Sequence, residues 1–547
     1  MLPRAAKTPR LPRTQRTQFK PRMNTPPTNY DLVAYPSYTH PQTHPDRLAV
    51  IGSLFGLQPA PPARCRVLEL GCGNGSNLLP MACTLPGSDF TGLDLAGQPV
   101  AKGRAAIQEL DLKNLRLLHA SVMDFDPAGA KFDYIIAHGL FSWVPAPVRE
   151  QVLKLCRQCL APHGIAFISY NALPGFHLRN MLREMMCFHV RGTQTPRERI
   201  GQAQALVKFL ADAQNTRDEY RQWMKSELET ILEHEPGHLF HDELADISDP
   251  YYFTQFQQLA QSHGLQYLGE ADFFEMFDYG FSEATRATLQ QLGSNRILRE
   301  QYLDFLKCRR FRQTLLCHRE APVAADPAAR PIPGFFIAAS ARLQTAGDPG
   351  AIPDLRPGVT VRYQTPKGAQ CATDYPLGKA ALHHLTAEHP PQPFDQLLHH
   401  AARTLAAAGL AAEADARDSR DQLAAFLLDL YRAGVVEFRA TAPAITRTIS
   451  SHPAVSPLTR WQIRQGNFVT SQLHIVVKIE DEIGRHLLLS LDGTRDRAGL
   501  LDLLWQLLKD KHALNFENDD ENSLRRKIEN DLDRNLEKLA QLGLLVA

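Results

Sequence analysis

At 547 residues the chain exceeds one ordinary domain, and three or four domains are expected. A hydrophobic content of 44% with 22% charged residues is that of a soluble globular protein, and a net charge of +1 sets up no global field for nucleic acid or an anionic membrane. Nine cysteines build no disulfide framework and no run of eighteen apolar residues spans a membrane, so a reducing, cytoplasmic setting without membrane insertion is expected.

Residues 1–29 carry seven Lys/Arg and no acid, are interrupted by prolines, and read as a disordered basic leader with Met23 an alternative start. The next stretch, Tyr35–Leu48, is "YPSYTHPQTHPDRL", an aromatic arm stiffened by three prolines just ahead of the first glycine-rich turn. Such an arm is placed to cover a ligand, with Tyr35 and Tyr38 closing over it and Gln42 or His44 reaching its polar groups. The plainer reading is packing on the outside of a sheet. His40 and His44 have no third ligand nearby, so no metal is expected.

From Arg64 to Tyr170, short apolar runs alternate with helical patterns. "RVLELG", "DFTGLDL", "LRLLHASV", "FDYIIAHG" and "IAFISYN" read as strands. "NGSNLLPMACTL", "QPVAKGRAAIQELDL" and "VREQVLKLCRQCL" read as helices. This predicts parallel strands covered on both faces, a Rossmann-like, doubly wound α/β core over 30–175. A charged helical insertion follows over 176–245. Residues 246–320 close the core with a helix, the strand "LQYLGEADF" and a helical region ending in "EQYLDFLKCRRFRQTLLCH". A Pro/Ala-rich linker is expected over 321–334, then winged-helix-like modules over 335–445 and 446–547, each built of helices and a short strand pair. From His474 onward, 11 Lys/Arg face 15 Asp/Glu, which opposes binding to phosphate, so no nucleic acid is expected as a partner.

"VLELGCGNGSN" carries the chemistry. Glu69 precedes Gly71, Gly73, Asn74 and Gly75 at a strand-to-helix turn, where the glycines let a ligand lie against the backbone. Asp94, followed by Leu95, ends the next strand, and a carboxylate there accepts from both hydroxyls of an adenosine ribose. The spacing is GxGxG; the third glycine of a dinucleotide fingerprint would fall at Ser76. With no pyrophosphate to seat, an acidic lip at Glu69 suits a sulfonium, which points to S-adenosyl-L-methionine. Asp124 is placed to accept from the adenine amino group, with Val122 and Met123 flanking the ring. A solvated loop acid is the alternative for Asp124. His138, in "AHGLFSWVP", falls at the ligand-bearing edge of the fourth strand, as a catalytic group or a packed histidine; Phe141 and Trp143 wall a channel or fill the core.

With "YPSYTHPQTHPDRL", "LELGCGNGSNLLPMA", "AHGLFSWVP", "SYNALPG" and "EQYLDFLKCRRFRQTLLCH" together, the chain resembles bacterial class I methyltransferases with a methyltransferase regulatory domain. That group includes the rickettsial protein-lysine methyltransferases that act on an outer-membrane surface protein. The resemblance runs from about Tyr30 to the C-terminus and implies a donor-binding core, helical insertions, C-terminal winged helices, a homodimer and lysine amines as acceptors.

Methyl transfer to an amine needs the neutral nucleophile, and a free lysine is only about one part in 2,500 neutral at pH 7. Aromatic walls dehydrate an amine and hold it by cation–π contact. Tyr38, Trp143, Tyr35 and Tyr170 are the expected walls, with His138 and His44 as proton acceptors. A small-molecule N- or O-methyltransferase and a non-enzymatic sensor of S-adenosylmethionine are the rival readings.

Overall fold

The computed structural model describes residues 27–546 apart from 215–217, 294, 340–341, 344–351, 366–367, 369, 387–389, 411–415, 447 and 511–519. Seven strands form the main sheet: β1 (Arg66–Leu70), β2 (Asp89–Asp94), β3 (Leu115–His119), β4 (Phe132–Ala137), β5 (Leu160–Asn171), β6 (Leu265–Glu270) and β7 (Phe311–His318). Their order is β3-β2-β1-β4-β5-β7-β6. The first five run parallel, and β7 lies antiparallel between β5 and β6. In β1, Val67 joins one apolar layer while Leu68 and Leu70 join the other. All three are fully buried, each worth about 1.5–3 kcal/mol, which is why the strand reads as a continuous apolar run. The strand order reverses between β1 and β4, and the crevice at their carboxyl ends is where a ligand sits in such sheets.

One element differs from expectation. The segment expected to be helical through "RRFRQTLLCH" is helix only over Arg296–Lys307; Cys308 then adopts a left-handed conformation and Phe311–His318 is β7. The strand holds Arg312, fully buried in the sheet. It bonds Glu270 Oε1 at 2.6 Å, Glu300 Oε2 at 3.0 Å and both oxygens of Asp304. A buried guanidinium breaks the apolar alternation that marks a strand; Asp304 and Glu300 come from the preceding helix and Glu270 from β6.

The first 26 residues of the expected leader lie outside the described residues. Its last residues are structured: Thr28 forms a capping box with Asp31 and Asn29 opens the short helix Asn29–Leu32. The Pro/Ala stretch 321–334 is fastened to the core, with Ala324 N and Ala328 N donating to the carbonyls of Phe55 and Leu54. Helices Phe176–His189, Pro196–Asp212 and Glu219–Leu232 pack round Leu182, Met186, Val207 and Leu228. Further on, Phe336–Ala339 pairs with Gln392–Pro393 and Val436–Arg439 beside three helices. Among the described residues the last module has its own core, four helices and a two-stranded wing, Phe468–Thr470 with Val476–Lys478. The fold is therefore mixed α/β with a seven-stranded sheet and a C-terminal winged helix. Among the described residues, no helix is long and apolar enough to cross a membrane.

Candidate active site

The turn after β1 is built from glycines with left-handed backbones: φ is 76° at Gly71, 54° at Gly73 and 76° at Gly75. Only glycine takes these angles without strain, and at Gly73 a side chain would point into open space beside Ser37 Oγ, 3.8 Å away, where a ligand can approach the bare backbone. Asn74 Oδ1 accepts from the amide and hydroxyl of Ser76 and fixes the turn. Asp94 Oδ2 accepts from Gly73 N and its Oδ1 from Ala96 N, both at 2.8 Å. Burial raises the Asp94 carboxyl above its ordinary value, and the two amides pull the other way. The acid at the end of β2 is thus tied directly to the glycine loop.

Glu69 is 4% exposed, and burial pushes its carboxyl up to about 8. Oε1 accepts from Asn77 Nδ2 at 2.9 Å, while Oε2 is buried with no partner among the described residues. An orphaned carboxyl oxygen beside a bare glycine loop fits a ligand that brings an ammonium donor, as the amino group of S-adenosylmethionine does, and the sulfonium's positive charge favours the ionised carboxylate. Val122 is buried, whereas Leu95 and Met123 are exposed at 43% and 47% on the same edge, available to an apolar ring. Asp124 is exposed, with its amide on Ser121 O.

The N-terminal arm crosses this edge. Asp31 Oδ1 accepts from Gln98 N at the helix that follows Asp94. Ser37 lies over Gly73 and His40 N donates to Asn77 Oδ1 at 3.0 Å. The His40 ring lies 3.8 Å from that of His138, centroid to centroid. Burial lowers both imidazoles, His40 to about 4, so both are neutral near pH 7. His138 Nδ1 is buried without a partner among the described residues. His44 caps the helix Pro45–Leu54, its Nδ1 accepting from Asp46 N, and burial lowers it to about 3. That nitrogen is committed to the helix.

The other aromatics separate into mouth and core. Tyr38 sits between His238 and Phe468 of the wing. Trp143 lies in the turn after β4 under the Arg183 guanidinium, whose Nη1 donates to Asp242 O at 2.6 Å. Tyr35 OH donates to Asp242 Oδ2 at 3.3 Å. Tyr170 and Phe141 lie in the core: Tyr170 is 1% exposed, stacks on Phe256 at 4.1 Å and has its OH on Thr314 Oγ1, so it walls no mouth.

Asp242, Tyr30, Asn77 and His474 carried no role in the sequence reading. Asp242 occupies a π turn, Leu239–Glu243, a wide helical form frequent at functional sites. Burial and the neighbouring Glu243 raise its carboxyl to about 7. Tyr30 stacks on His241 at 4.0 Å and feels the charges of both Asp242 and Asp94. Asn77 was visible as a polar residue at a helix start; the other partners come from remote segments with no local signal.

Comparison with known families places "Methyltransferase domain" on residues 67–164, "Predicted methyltransferase regulatory domain" on 235–318 and "PKMT, C-terminal winged helix domain" on 451–544. The Rickettsia prowazekii protein RP028 is 39% identical over 234 residues, 43% of this chain and 94% of its own length. RP789 of the same organism is 37% identical over 297 residues, so the match spans only about half of that relative, 53%. The solved structure of PKMT2 from Rickettsia typhi in complex with AdoHcy superposes with a TM-score of 0.82 at 28% identity, covering 94% of this chain and 100% of that one.

Proposed function

We propose that this chain, which belongs to the bacterial S-adenosylmethionine-dependent methyltransferases joining a regulatory domain and a C-terminal winged helix, methylates lysine side chains of a protein. The observation that carries this reading is the aromatic cluster at Asp242: Tyr35 OH bonds its half-buried carboxyl, Tyr38 packs on the nearby His238, and Trp143 lies under the Arg183 guanidinium that holds the Asp242 carbonyl. The likeness to a structure named PKMT2 supports it.

The donor supplies an activated methyl group on a sulfonium. Glu69, the Gly71–Gly75 backbone, Asp94, Leu95, Val122 and Met123 are the residues that would hold it, with Asp124 near the adenine. The chain's remaining task is to present a neutral amine in line with that methyl, an entropic and desolvation problem more than an acid–base one. Neutralising a lysine costs about 4.6 kcal/mol at pH 7. Aromatic walls recover part of this by dehydrating the ammonium and holding it at about 0.5–2 kcal/mol per cation–π contact. Asp242, raised to about 7, has the basicity a proton acceptor needs near neutrality. His138, neutral and with a bare Nδ1, is the second such group. His44 can serve only through Nε2, because its Nδ1 caps a helix.

A protein acceptor exposed on a surface or outer membrane, and a homodimeric enzyme, complete the proposal. The test is transfer of labelled methyl groups to protein lysine.

A further inference from the structure

Asn77 is a junction whose hydrogen bonds close completely. Its Oδ1 receives His40 N–H at 3.0 Å and faces His474 Nε2 at 3.0 Å. Its Nδ2 donates to Thr43 Oγ1 at 3.0 Å and to Glu69 Oε1 at 2.9 Å. Thr43 in turn donates to His40 O at 2.8 Å. The orientation of the amide is not arbitrary. A backbone N–H can only donate, so the atom facing His40 N is the oxygen. His474 therefore carries its proton on Nε2 and donates it. Both lone pairs of Oδ1 and both hydrogens of Nδ2 are then used.

His474 lies 397 positions from Asn77, at the tip of the winged-helix wing. It is 4% exposed, with φ of 63° in the turn between the wing's two strands. Its carbonyl accepts from Thr39 Oγ1 of the arm at 3.4 Å, and its ring lies 5.1 Å from that of His44. A second bond fastens the same module to the core: Trp461 Nε1 donates to Glu109 Oε2 at 2.6 Å, on the helix that follows Asp94. The wing thus reaches behind the glycine loop and fixes the amide that aims Glu69, whose Oε2 is left bare.

We infer that the C-terminal winged helix completes the donor site, with His474 a positioning residue that orients Glu69 through Asn77, so that wing docking and S-adenosylmethionine binding reinforce each other. This rests on reading the Gly71–Gly75 loop as the donor site. Removing the imidazole leaves a buried Asn77 oxygen short of a donor and frees the amide to turn away from Glu69. Coupling is reciprocal, so a bound donor must also tighten the wing.

The experiment uses the full chain and S-adenosylhomocysteine, read by calorimetry and by hydrogen exchange. His474→Ala raises the dissociation constant about fivefold or more, while His474→Gln, which keeps an N–H donor, stays within about twofold of wild type. In the wild-type protein, ligand slows amide exchange over residues 468–478. Equal affinity in His474→Ala overturns the inference and leaves the donor site standing. So does exchange over 468–478 that ignores the ligand, a result that needs no variant to fold. If wild type fails to bind S-adenosylhomocysteine, the donor-site reading falls and takes the inference with it.

Discussion

The imidazoles of His40 and His138 pack 3.8 Å apart, one from the N-terminal arm and one from the loop after β4. Charging either ring would bury a cation beside the other, and desolvation holds both neutral. The contact therefore makes the stability of the packed arm depend on pH. His40 is lowered to about 4 from an ordinary value near 6.5. Between those values the unfolded chain takes up a proton that the native state does not. The stabilisation is complete above about 6.5 and is lost as pH falls toward 4, by up to about 1.4 kcal/mol per pH unit for each such histidine. Buried acids such as Glu69, raised to about 8, act in the opposite direction, so the clean comparison is with His40→Phe, which keeps a ring but no proton site. Denaturant unfolding at pH 7 and pH 5 shows wild type losing about 2 kcal/mol more than the variant. Equal losses contradict the assignment.

The Asp94 carboxylate accepts from Gly73 N and Ala96 N, and on the proposed reading a ribose would be its third partner. Asp94→Ala weakens S-adenosylhomocysteine binding about tenfold or more, on the order of 1.5–3 kcal/mol. Calorimetry on the purified variant checks this, and unchanged affinity removes the ribose role.

Arg312 is the electrostatic centre of the regulatory region. It is fully buried, pairs with Glu270, Glu300 and Asp304, and lies 3.9 Å over the Phe253 ring. Arg312→Leu leaves three buried acids facing one another, with Arg309 still near Asp304 and Glu300. Removing one partner from such a cluster costs about 3–5 kcal/mol. Urea unfolding should show a loss of that size; a loss under about 1 kcal/mol would mean that Arg309 and trapped water suffice.

The parallel core was legible because strands buried on both faces, such as β1, are written as unbroken apolar runs, and because Gly71, Gly73 and Gly75 mark a turn that few other residues can make. β7 was hidden. Its Arg312 looks like helix surface until the carboxylates from β6 and the preceding helix are folded against it. The arm's placement was half legible: the prolines and tyrosines of Tyr35–Leu48 suggested a cover, and the segment does pass the glycine loop, with Ser37 beside Gly73 and His40 N on Asn77. Its polar contacts were not foreseen. His44 caps, through Nδ1, the helix that starts one residue later, which leaves Nε2 for the expected ligand contact. Tyr170 looked like a wall and is core, because β5 continues past it and Phe256 stacks on it. Asp242 lies 165 and His474 397 positions beyond Asn77, which closes the glycine-loop motif, a distance that periodicity and spacing do not bridge.

On the proposed function, methyl groups go to lysine on protein. Its most direct test is incubation of the purified enzyme with methyl-labelled S-adenosylmethionine and a bacterial protein extract, followed by acid hydrolysis of the labelled protein. Label in the protein fraction and recovery of methylated lysine are expected. Label confined to small molecules, label on another residue type, or no transfer would contradict it.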